Sequence, residues 1–249
     1  TERGFGIRGA VGCSDRANGE DIKGKTVVIS GFGNVAWGTA WKLQQLGANL
    51  VAFSGPDGYI YDPDGISTQD KLDTLLELRA SGKNICAPYA EKFPEATFVA
   101  GKKPWGVCKD FDVKVDLFIP CAMQNDVHME DAKNIVESGC KFYCEGANMP
   151  TTNDALVYLM DNMTAVGPAK AANAGGVACS CIEMGQNAGH TVFQHEDVYA
   201  QLHQIMRNIF NACANAGEKY YDNKNALVQG ANIAGFERVA QAMMEQGLV

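Results

Sequence analysis

The sequence has no apolar run near the roughly 20 residues that a membrane-spanning helix needs. It also has no cluster of lysine and arginine. Acidic residues outnumber basic ones, 29 to 21, for a formal net charge of −8. Such a surface repels a phosphate backbone, so neither a nucleic-acid nor a membrane partner is expected. No C-x-x-C pair occurs. The nine cysteines lie scattered at Cys13, Cys86, Cys108, Cys121, Cys140, Cys144, Cys179, Cys181 and Cys213. An odd number without paired spacing predicts reduced thiols in a cytoplasmic protein, not a disulfide framework. Cys179-x-Cys181 and the four histidines miss the common zinc spacings, so no metal is expected. The first residues, Thr1-Glu2-Arg3-Gly4, carry no basic segment followed by an apolar one. They are expected neither to act as a secretory signal nor to be a native start. No repeat and no low-complexity linker divides the 249 residues.

What is present is a rhythm of short apolar runs and amphipathic stretches, in a chain 46% hydrophobic and 20% charged. Thr26-Val27-Val28-Ile29-Ser30 is a buried-strand pattern ended by Gly31. Residues 34–46 repeat small and apolar side chains at Val35, Ala36, Thr39, Ala40 and Leu43, a helical spacing. Leu50-Val51-Ala52-Phe53 is a second strand, closed by the turn-rich Ser54-Gly55-Pro56-Asp57-Gly58. A helix is predicted over 67–81, with Ser67 or Thr68 as its cap. Strands follow at 97–99, 115–119, 141–144 and 164–166, with helical pattern at 126–138. Strands alternating with helices predict an α/β fold, a doubly wound and mostly parallel sheet covered on both faces. Three helices are expected in the tail, at 175–188, 196–216 and 235–246. Residues 1–24, with Gly4, Gly6, Gly9 and Gly12, lack periodicity and are expected to be irregular. The whole is read as one domain, with a core over about 1–172 and C-terminal helices over 173–249.

Gly31-Phe32-Gly33-Asn34-Val35-Ala36 matches G-x-G-x-x-A between a strand and a helix. The first glycine permits a tight turn, the second lets a pyrophosphate approach the backbone, and Ala36 lets the helix lie close to the strand. The helix N-terminus adds unpaired N–H groups and the positive end of its dipole. In this context the motif predicts a dinucleotide site. At the end of the second strand an acidic residue for a ribose hydroxyl, or a cation for a 2′-phosphate, is the usual arrangement. Here Ser54 accepts either ribose, Asp57 is displaced along the chain, and no Lys or Arg is adjacent. NAD and NADP both stay open.

Five segments, GFGNVAWG (31–38), SGPDGYIYDP (54–63), PCAMQNDV (120–127), EGANMPTT (145–152) and PAKAANAGGVACSCIEMGQN (168–187), resemble in order the hexameric, small-subunit glutamate dehydrogenases. The resemblance runs from about residue 18 to the C-terminus and implies a Rossmann-like fold. It also implies conversion of L-glutamate to 2-oxoglutarate and ammonia, or the reverse, with hydride transfer to or from NAD or NADP. By resemblance, Gly31, Phe32, Gly33, Asn34 and Val35 form the pyrophosphate loop, and Ser54 and Asp57 lie on the adenosine-ribose side. Cys121 and Ala122 lie beside the adenine and ribose, followed by Gln124 and Asn125. Gly146, Ala147 and Asn148 lie near the nicotinamide ribose, and Asn173 near its ring. Amides suit that place, because they donate and accept without adding charge beside a ring that becomes cationic. Val177 and Ser180 match the positions that close the pocket over the substrate side chain. Three apart on a predicted helix, they share a face. Ser180 suits the side-chain carboxylate of glutamate, whereas an apolar wall would favour leucine or phenylalanine. Taken without the resemblance, Val177 reads as core packing and Ser180 as a hydroxyl bonded back to its own helix.

The family's lysine- and glycine-rich substrate motif, activating lysine and acidic general base belong to an N-terminal domain that does not occur in these 249 residues. No catalytic residue is therefore assigned, and the chain alone is expected to bind nucleotide and turn over little. Arg3 stands where the family has threonine, so that residue's contact to the nicotinamide carboxamide is not carried over. A homohexamer is implied for the full-length protein. Lys170 is expected to position the loop before Asn173, His190, His195 and His203 to lie on the surface or in packing, and Met243 and Met244 to lie in the core. Two other readings stay open: a branched-chain or aromatic amino-acid dehydrogenase domain, and a non-catalytic nucleotide-binding module.

Overall fold

A computed structural model describes residues 21–83 and 85–247. The segment around Arg3, and most of the stretch expected to be irregular, lie outside the described residues. Seven strands form one sheet: β1 (Thr26–Ser30), β2 (Asn49–Ser54), β3 (Gly58–Tyr61), β4 (Thr97–Ala100), β5 (Leu117–Pro120), β6 (Phe142–Cys144) and β7 (Ala165–Gly167). Their order is β4-β3-β2-β1-β5-β6-β7. The five strands from β2 through β7 along that order are parallel, while β3 pairs antiparallel with both β2 and β4.

The strand β3 was not expected. Its residues follow immediately on the turn signal at 54–58, and the reversal there is a hairpin: Gly55 N–H donates to the Gly58 carbonyl at 2.8 Å. Tyr59, Ile60 and Tyr61 then run back along β2. Three aromatic or β-branched residues are too few to show a period, and only pairing reveals the strand.

Helices cover both faces. The first, α1 (Asn34–Leu46), buries Ala36, Thr39, Ala40 and Leu43, the stripe its spacing predicts. Next come α2 (Gln69–Ala80), α3 (Pro88–Lys92), α4 (Val107–Phe111), α5 (Met129–Glu137) and α6 (Asn153–Asn162). The Thr68 side chain caps α2 by accepting from Lys71 N–H. Alternate residues of one strand serve opposite cores. Val27 and Ile29 pack with Leu43, Leu50, Phe53 and Ile119 on one face. Val28 packs with Tyr59, Trp105, Phe118, Ile135 and Leu159 on the other. Beyond β7 lie α7 (Ala169–Ala172), α8 (Ala174–Ala188), α9 (His195–Tyr221) and α10 (Leu227–Gln246). The last two run beyond their expected limits of 216 and 235. Gly230 lies where the two meet: a Cβ there would stand 2.0 Å from the Cys213 carbonyl, so α9 and α10 cross with backbones in near contact. Met243 and Met244, expected in the core, are exposed. Among the described residues no helix is long and apolar enough to cross a membrane.

Candidate functional site

β1 has β2 on one side and β5 on the other, and the chain departs in opposite directions from this point. Open α/β sheets bind ligands in the crevice at such a switch point, beyond the carboxyl ends of the strands. Gly31 lies there with φ 99°, and a Cβ at this position would come within 2.8 Å of the backbone of Cys121 and Ala122. The close approach of the two loops therefore requires glycine. Gly33 differs, since a Cβ added there would meet no protein atom within 4 Å. It opens α1 without a side-chain cap, and the first turn holds no acidic residue. An uncapped N-terminus beside a bare glycine leaves amide donors and room for an anion.

A cleft of about 620 Å³ begins beside this loop. Of the expected site residues, Val35, Ala122, Gln124, Gly146, Ala147, Asn148, Asn173, Val177 and Ser180 line it together. Asn173 Nδ2 donates to Asn148 Oδ1 at 2.5 Å, so the two amides stand side by side. Asn173 ends α7 and precedes α8, whose face continues with Gly176, Val177, Ser180, Cys181 and Met184. These positions recur at intervals of three and one, which is one face of a helix. That signal was in the sequence and could have added Gly176, Cys181 and Met184 to the expected wall. Val177 is 70% exposed, so core packing does not explain it.

The remaining expected residues lie elsewhere. Gly31 and Phe32 border a small recess of about 20 Å³ with Trp37, Phe53, Leu75 and Arg79. Ser54 is buried, and its Oγ accepts from Gly31 N–H at 3.0 Å. It thereby fixes the phosphate loop against β2 and keeps its own proton free to donate. Asp57 accepts from the amides of Cys86 (2.9 Å) and Ala87 (3.0 Å) and from the Cys86 thiol. Burial alone would raise its pKa, but these bonds together outweigh burial and hold the carboxyl below its ordinary value. Cys121 lies beneath the loop, with its sulfur 3.6 Å from Thr39 Oγ1. Burial pushes its thiol up to about 12, so it is an inert packing group. Asn125 is exposed at φ 55° and donates its N–H to the Met149 carbonyl. Lys170 does not line the cleft. It reaches Asn232 on α10, which joins α7 to the helical tail.

Behind the cleft, Asp126 is buried and accepts from Ser30 Oγ at 2.6 Å, with Lys103 Nζ 2.9 Å from its other oxygen. Ser30 Oγ in turn accepts from Cys121 N–H. This chain of bonds ties the carboxyl end of β1 to that of β5, the two sides of the crevice.

The family model for glutamate/leucine/phenylalanine/valine dehydrogenases matches residues 4–247. The NAD-specific glutamate dehydrogenase of Clostridium symbiosum is 52% identical over 231 residues, which are 92% of this chain and 49% of that protein. An NADP-specific glutamate dehydrogenase of Giardia intestinalis is 43% identical over 95% of this chain and 51% of its own length. Among solved structures, a glutamate dehydrogenase at 50% identity superposes on the whole chain with a TM-score of 0.92, covering 54% of that structure. The Plasmodium falciparum glutamate dehydrogenase does so at 39% identity, with a TM-score of 0.92 and 52% of its length. The chain spans about half the length of the relatives it matches. A continuous match over residues 4–247, with the glycine loop and the amide pair at one crevice, shows that the chain belongs to the Glu/Leu/Phe/Val dehydrogenase family.

Proposed function

We propose that this chain is the dinucleotide-binding part of a glutamate dehydrogenase, which interconverts L-glutamate with 2-oxoglutarate and ammonia. The observation that carries the reading is the continuity of the site. The glycine loop opens α1 at the switch point, and the cleft beside it leads from Val35 to the paired amides of Asn148 and Asn173. A pyrophosphate fits the uncapped helix end, and the amides meet the other half of the dinucleotide. The bound cofactor would supply the hydride acceptor. The residues of this chain bind and orient it, and the face of α8 forms a wall of the substrate pocket. Ser180 is the hydroxyl that a side-chain carboxylate would meet there. Val177 and Met184 on the same face favour the second reading, a branched-chain or aromatic substrate. The acid–base groups and the activating lysine are assigned to the half of the relatives' length that this chain does not span. The full-length protein is taken to be a cytoplasmic homohexamer, following the resemblance.

For the cofactor we favour NAD. A 2′-phosphate at the end of β2 would find no lysine or arginine between residues 54 and 58, and it would lie near the fixed negative charge of Asp57. Calorimetric titration with NAD and NADP at the same low salt tests both points. One-site binding of NAD, with NADP weaker by roughly tenfold or more, is expected. Binding of neither would sink the dinucleotide reading. Tighter NADP would overturn the choice and direct attention to Arg79, at the edge of the recess beside Phe32 and Phe53.

A further inference from the structure

We infer that Glu145 is a positioning residue that holds Asn148 and Asn173 in register, and so governs the nicotinamide half of the site. The inference rests on the dinucleotide reading. Glu145 follows the last residue of β6 and is buried, 4% exposed, behind the cleft that its neighbours Gly146, Ala147 and Asn148 line. Its N–H donates to the Gly167 carbonyl at the end of β7. Its carboxylate accepts from the N–H of Ala169, the first residue of α7, at 2.9 Å. Thr151, near the far end of the loop that carries Asn148, also favours the ionised carboxyl against burial. One side chain thus joins two segments that reach the cleft separately. The loop is tied to the β5 side, because Gly146 and Ala147 donate to the Pro120 carbonyl and the Met149 carbonyl accepts from Asn125. The helix α7 is four residues long, and Asn173 is its C-terminal cap.

The chemistry calls for a carboxylate. Its two oxygens offer about four lone-pair sites, enough for donors arriving from both segments, and ionised acceptors make the stronger bonds. A glutamine has the same shape but one oxygen, and its NH2 would have to face an N–H donor. Burial pushes the Glu145 carboxyl above the ordinary carboxylate range, against the bonds from Thr151 and Ala169 that lower it. A charge held in so dry a place depends on those bonds, and their loss leaves the two segments joined less firmly.

The test compares NADH with ADP-ribose, which lacks the nicotinamide ring, by calorimetry on the protein and on Glu145→Gln. NADH is expected to bind more tightly than ADP-ribose to the unaltered protein. Glu145→Gln should weaken NADH by about tenfold, the scale of one charge-assisted hydrogen bond, and leave ADP-ribose within about twofold. Asn173→Ala should act alike, and the double variant should be no weaker than the weaker single one, because Glu145 acts through the amide that Asn173→Ala removes. Equal losses for both ligands would make Glu145 a general structural residue and overturn the inference. So would an unchanged NADH affinity, additive losses, or equal binding of the two ligands by the unaltered protein. If the glutamine variant does not fold, Glu145→Asp keeps the charge but is one methylene too short to reach both segments, and the same pattern is expected of it. Failure of the unaltered protein to bind either ligand would instead refute the dinucleotide reading.

Discussion

The sheet and the helical tail are built to different rules. Around the sheet, two large apolar clusters fill the space on either face, and Val27, Val28, Phe118 and Ile119 are all but inaccessible. In the tail, the buried cluster is four residues, Ala171, Cys213, Ala214 and Leu227, while Val177, Met184, Phe236 and Val239 are more than half exposed. A helix normally turns its apolar stripe inward. On α8 that stripe lines the cleft and stays exposed. Burial is concentrated around the strands that carry the glycine loop, and exposure in the helices beyond β7.

The sharpest way to break this contrast is at the loop itself. Gly31→Ala should destabilise the protein by roughly 2–4 kcal/mol, because strain at positive φ adds to a backbone clash. Urea denaturation would show it, and a loss below about 0.5 kcal/mol would mean that the two loops do not touch as described. Next, truncation to alanine should cost far more in the core than in the tail, beyond what the one extra carbon of isoleucine explains. Ile119→Ala, in the core, should cost about 2–5 kcal/mol. Val239→Ala, on exposed α10, should stay within about 0.5 kcal/mol. Similar costs at both sites would refute the contrast.

The smallest expected effect concerns Asp57, which anchors the turn at Cys86 and Ala87. Its folded pKa lies below the ordinary 3.8, so its stabilising contribution is in place above that value and is lost as pH falls through the folded pKa. Stability curves of the protein and of Asp57→Asn should therefore be furthest apart near neutrality and draw together below about pH 4. Curves separated equally at all pH values would mean that the charge plays no part in the turn.

Much of this was legible in advance because it is local. The strand 26–30, the glycine loop and the helix 34–46 obey periods and steric rules that operate over a few residues, and they stand where the spacing puts them. The cleft-lining residues from four separate segments were named from the resemblance, and the structure brings nine of them together. What was missed needed partners. β3 is a strand because β2 and β4 flank it. The short helices α3, α4 and α7 are too brief to show a period. Met243 and Met244 are apolar in composition, yet their side chains lie at the surface.

The sequence alone determined the alternation of strand and helix, the need for glycine at the turn and the order of the segments, since each rests on the conformational limits of neighbouring residues. Tertiary structure alone decided which of those segments meet. It turned Asp57 onto Cys86 and Ala87, buried Cys121 beneath the loop, and set one oxygen of Glu145 2.9 Å from Ala169 N, 24 residues along the chain. A buried polar group must find a partner wherever the fold places one, and no spacing rule reaches across that distance.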